Sequence, residues 1–161
     1  MTPRTISSTV KFPSFLHPSS QTDCWSLAVH RVRQTALKLA SQLSDHNPDL
    51  LVLELAAVFH DLLDKKYRPS NHVEGDVSTY DFFLPFFEQN VHIVDMVSSG
   101  QAELIVKIVD NVSWSTETAL IKSGGLTDWH KECIELHCVQ DADRLDAMGA
   151  IGMSFDFLLW L

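Results

Sequence analysis

Apolar positions recur at helical spacing from about Trp25 onward. Val29, Val32, Ala36, Leu39 and Leu43 fall within ~80° of one another on a helical wheel, while Arg31, Lys38 and Gln42 point elsewhere, which predicts an amphipathic first helix. In the following SDHNPD, Asn47 is the predicted N-cap of a second helix, with Pro48 at its first position and Asp49 in its first turn. That helix, Leu50 to about Asp64, is apolar on every side and is predicted to be buried all round. Further helices are predicted over Val73 to Leu84, ended by Pro85, over Ala102 to Val109, and from about His130 to Gly149. DKKYRPSNH, DNVSWSTE and IKSGGLTDW read as loops, with Asp128 a candidate cap. β-Branched alternation is too scarce to build a sheet, so the expected class is all-α. Residues 1–24 read as an irregular lead-in and 25–161 as a single helical domain, since 161 residues suit one sizeable core better than two.

Charge and cysteine usage narrow the setting. A net charge of -9, with Lys and Arg never gathered into a long basic run, excludes a general nucleic-acid or membrane-surface binder. No stretch is long and apolar enough to span a bilayer. The three cysteines, Cys24, Cys133 and Cys138, form no CxxC pair, which favours a reducing setting and argues against a thiolate zinc site. The expected location is the cytoplasm or the nucleus.

Two stretches carry chemistry. His60 and Asp61 interrupt the apolar run LLVLELAAVFHDLLD, and a buried carboxylate there demands hydrogen bonds, a cation or a metal. In VQDADRLDAMGAIG, Asp143 shares a helical face with Leu136, Val139, Ala147 and Ala150, whereas Asp141 lies ~160° away and faces solvent. Taken alone, each stretch also fits a plain reading: a core histidine bonded to a backbone carbonyl, and an ionic network of aspartates around Arg144.

Together, AAVFHDLLDKKY and VQDADRLDAMGAIG, with DNVSWS between them, resemble the HD-domain superfamily of metal-dependent phosphohydrolases, and in particular its small stand-alone hydrolases. The resemblance covers about Val29 to Gly152 and implies an HD-like helical bundle. It implies His60, Asp61 and Asp143 as ligands of a divalent metal ion (manganese, magnesium, iron or zinc), and a nucleotide or other small phosphate ester as substrate. Asp61, Asp64, Lys65 and Arg144 are the candidate catalytic residues, Asp64 orienting a water or a lysine, and Lys65, Lys66 and Arg144 balancing phosphate charge. Asn111 and Ser113 are candidates for the pocket rim or for capping a loop.

The family pattern places a first ligand histidine three residues before an Arg-Val pair. Arg31-Val32 is present, but Ala28 occupies that position. The nearest histidine, His30, lies ~135° from the centre of the core stripe and is expected to point away from the site. This gap and the apolar ending MSFDFLLWL raise the expectation of a chain truncated or mis-spliced at both ends. The alternative to an enzyme is a non-catalytic HD-like module that lacks the first ligand.

Overall fold

The structure is a computed structural model, described here for residues 23–62 and 78–158. Among the described residues all regular structure is helical. In chain order the helices are α1 (Asp23–Gln42), α2 (Leu50–Phe59), α3 (Thr79–Gln89), α4 (Gln101–Asn111), α5 (Trp114–Ser123), α6 (Asp128–Glu132) and α7 (Ile134–Leu158), with a short 3-10 turn at Ser44–His46.

α2 is the centre, packed against α1, α4 and α7. Its apolar composition explains this, because Val52, Leu53, Leu55, Ala56, Ala57 and Phe59 are all buried, and each large side chain removed from water contributes roughly 1.5–3 kcal/mol. Phe59 stacks on Phe83 of α3 with ring centroids 4.5 Å apart and meets Phe86 edge-on at 5.0 Å. α1 covers the other side with Val29, Val32 and Ala36 of the predicted stripe and with Ala40, which that stripe does not include; Leu39 is only half-buried, and Leu43 lies past the helix end and is exposed. One polar pair is buried within this layer: Arg33 Nε donates to Glu54 Oε1 at 2.8 Å, and Nη2 contacts the same oxygen.

The start of α2 differs from its prediction. Asn47 is not the N-cap, since it adopts a left-handed conformation at φ 49° to close the 3-10 turn. Asp49 caps instead, its Oδ1 accepting from the backbone N–H groups of Leu51 and Val52. The same residue ties three helices together at this end. Asp49 Oδ2 accepts from Gln101 Nε2 of α4 at 2.7 Å, and its backbone N–H donates to Glu135 Oε1 of α7 at 2.7 Å.

Other boundaries also moved. α2 ends at Phe59 rather than near Asp64, so His60 sits at its C-cap. Pro85 lies inside α3 instead of ending it; the one backbone bond lost is offset by burying Phe83, Phe86 and Phe87. DNVSWSTE is not a loop, because Ser113 accepts from the Thr116 N–H and starts α5 there. IKSGGLTDW likewise begins in α5, which Gly124 ends at φ 67°. Asp128 does not cap α6: Thr127 precedes the helix, and its N–H donates to Nδ1 of His130 at 3.1 Å. The single helix expected from His130 is broken at Cys133, whose extended backbone separates α6 from α7, and α7 continues to Leu158. The lead-in is expected over 1–24, but α1 already begins at Asp23; residues 1–22 of it, the polar turn DKKYRPSNH and the Val73 start of the third helix lie outside the described residues.

Candidate metal centre

Register brings the two motifs together. Asp49, Gln101 and Glu135 mark one level of α2, α4 and α7, and about three turns further along each helix stand His60, the Asn111–Val112 end of α4, and the Asp143–Asp146 stretch of α7. α1 joins from the opposite direction, where Arg31 makes a two-point contact with Asp146, Nε to Oδ1 at 2.6 Å and Nη2 to Oδ2 at 2.9 Å.

The geometry turns on His60. Its Nδ1 lies 2.8 Å from the Ala57 carbonyl, which can only accept, so Nδ1 carries the hydrogen and donates. Nε2 then points at Asp143 Oδ1, 3.5 Å away, with the imidazole side chain only 7% exposed and the carboxylate 40% exposed. Burial alone would lower the pKa of His60, but the Asp143 hydrogen bond, the Ala57 carbonyl and the charges of Asp143 and Asp61 outweigh it and hold the pKa above its ordinary value. Asp143 is therefore a half-exposed group at the mouth of the bundle; of the face predicted for it, Leu136 and Val139 are buried but Ala147 is exposed, because α7 leaves the core after Ala142, and Asp141 is exposed as expected.

Asp61 is half-buried and follows His60 directly in the turn after α2. His30 is exposed on α1, its Nε2 2.9 Å from Gln34 Nε2 one turn on. Among the described residues no group of three or more His, Cys, Asp or Glu side chains is gathered closely enough to hold a metal. The pair that is gathered has suitable chemistry, with an imidazole lone pair of fixed tautomer facing a carboxylate oxygen. His60 and Asp143 are two donors of the kind a divalent cation takes, and Asp61 is not gathered with them into a three-residue group among the described residues.

Arg144 is engaged by α5. Its Nη2 donates to Glu117 Oε2 at 2.5 Å, its guanidinium carbon lies 5.1 Å from the Trp114 ring centroid, and its buried Nε has no hydrogen-bond partner among the described residues. Asn111 and Ser113 take capping roles. Asn111 Nδ2 donates to the Lys107 carbonyl, and its Oδ1 accepts from His130 Nε2, while Ser113 caps α5. Asp64, Lys65 and Lys66 lie outside the described residues. Sequence reasoning missed Glu117 and Trp114; a tryptophan in an otherwise polar segment was the one signal available.

Residues 29–148 match the family model of the HD domain, and the chain belongs to that family. HD domains usually bind divalent metals, and the family is one of metal-dependent phosphohydrolases. The chain is 32% identical over 130 residues to the uncharacterized protein YpgQ of Bacillus subtilis (strain 168), an overlap of 80% of this chain and 55% of that protein. It thus spans about half the length of the curated relative it matches. No solved structure matches it. No helix among the described residues is long and apolar enough to cross a membrane.

Proposed function

We propose that this chain is a cytosolic metal-dependent phosphohydrolase acting on a nucleotide or another small phosphate ester, with His60, Asp61 and Asp143 holding the ion. The observation that carries this reading is His60 Nε2 facing Asp143 Oδ1 at 3.5 Å, with Nδ1 committed to the Ala57 carbonyl. When bound, a divalent ion lowers the pKa of a coordinated water and polarises a phosphoryl oxygen. The chain's own residues prepare that site. The Ala57 carbonyl fixes the imidazole tautomer, and the carboxylates of Asp61 and Asp143 supply negative charge for the cation. Arg144, held by Glu117 and one residue after Asp143, would balance phosphate charge together with Lys65, while Asp64 would orient a water or a lysine.

The test is release of phosphate or pyrophosphate from a nucleotide panel with manganese, beside Asp61→Ala. Turnover in wild type that disappears in the variant supports the reading, and turnover that survives Asp61→Ala overturns it. A second reading, a non-catalytic HD module, is favoured by one observation: Ala28 stands where the family pattern has its first histidine, and His30 is turned to Gln34. Absence of both bound metal and turnover in wild type would select it.

A further inference from the structure

Trp114 is 67% exposed, more than any other large apolar side chain on the described surface. A lone exposed apolar residue calls for no explanation. Trp114, however, is part of a built arrangement. It opens α5 directly after the Asn111–Val112 end of α4, so it stands at the same end of the bundle as His60. The Arg144 guanidinium lies over its ring, and Glu117, one turn along α5, fixes that guanidinium. Arg144 follows Asp143 on α7, and its buried Nε has a hydrogen left to donate. Glu117 also lines a cleft with Asn111, His137 and Gln140, so the residue that fixes Arg144 borders a partly polar recess.

We infer that Trp114 is the platform on which the nucleobase of a nucleotide stacks, while Arg144 and the metal centre take its phosphate. The inference rests on the phosphohydrolase reading and deepens it by naming the substrate class. A sugar phosphate offers no π-face to an indole, whereas every nucleobase does, so the platform selects nucleotides over other phosphate esters. Stacking is tolerant of base identity, so discrimination among the four bases is small.

The probe pair is AMP and ribose 5-phosphate, which differ only in the base. Binding is followed by calorimetry and intrinsic tryptophan fluorescence with no divalent metal added, so that turnover does not intrude. Wild type is expected to bind AMP tighter than ribose 5-phosphate by ~10-fold or more, with quenching of emission, as one stacked base contributes. Trp114→Leu should lose that preference, weakening AMP far more than ribose 5-phosphate. Trp114→Phe should keep most of the preference and lose the quench. Unchanged AMP affinity in Trp114→Leu, or equal loss of both ligands, overturns the platform. The two readings separate: AMP held through Trp114 without turnover of any nucleotide sinks the hydrolase and keeps the platform, whereas nucleotide turnover with no contribution of Trp114 to binding does the reverse.

Discussion

Nε2 of His60 faces Oδ1 of Asp143 across 3.5 Å, and the Ala57 carbonyl fixes what belongs between them. Because Nδ1–H is committed to that carbonyl, the neutral imidazole presents a lone pair to a carboxylate. Two acceptors in this orientation repel unless a cation lies between them. The field that raises the imidazole pKa here favours any positive charge at this point, a proton or a metal ion. This relationship gives the otherwise conflicted His-Asp pair a use.

The ligand position that Ala28 is proposed to leave vacant can be filled. Arg33 of α1 meets Glu54 of α2, and counting back along α1 and forward along α2 from that contact brings Ala28 to about the level of Phe59 and His60. Ala28 is half-buried and one turn from Val32 on the core stripe. Ala28→His is expected to tighten manganese binding by ~10-fold or more, the scale on which changes around a metal site act. Titration of both proteins with manganese checks this, and equal affinities would show that Ala28 is not the vacant position.

The Arg33–Glu54 pair sets up a stability test. Both side chains are nearly inaccessible, at 9% and 5% exposure, so removing the cation leaves a buried carboxylate without its guanidinium. Arg33→Met should destabilise the fold by ~3–5 kcal/mol, and the double change Arg33→Met with Glu54→Leu should recover most of that loss. Urea midpoints of the three proteins decide it. A double variant no more stable than the single one would mean that the pair does more than neutralise itself.

Cys133 and Cys138 give the pH dependence. Burial pushes both thiols up to about 11, helped at Cys133 by the charge of Glu135 and at Cys138 by those of Asp141 and Glu135. The folded-state values lie above those of the unfolded chain, so the stabilising contribution is fully present below ~9 and is lost as pH rises from there through about 11. The unfolding midpoint should fall across that window, and at neutral pH both thiols should resist alkylation until the protein unfolds. A Cys133→Ala and Cys138→Ala double variant should show a shallower alkaline decline; an identical decline would assign it to other groups.

Much of this architecture was readable in the chain because a single apolar period fixes it. The α1 stripe and the burial of α2 follow from Val29, Val32 and Ala36 and from the unbroken Leu-Val-Ala run, and the outward direction of His30 follows from its angle to that stripe. Caps were harder. Asn47 and Asp49 are both competent caps, and only the intervening 3-10 turn, which uses Asn47 in the left-handed region, assigns the role to Asp49. The break at Cys133 has no local signal, since every residue around it is helix-compatible and tertiary packing decides where α6 ends. Long-range partners were out of reach for the same reason. Arg33 with Glu54, and Arg144 with Glu117 and Trp114, are pairings between helices whose relative rotation no periodicity specifies.

The most direct test of the metal centre is the manganese affinity of wild type against Asp143→Asn, a change that keeps the size of the side chain and removes its charge. Loss of a direct ligand should cost more than the ~10–100-fold associated with a supporting residue. Wild-type protein that binds manganese, with Asp143→Asn weakened beyond that range, is the predicted result. Equal binding by the two proteins, or none by either, would contradict a cation held between His60 and Asp143.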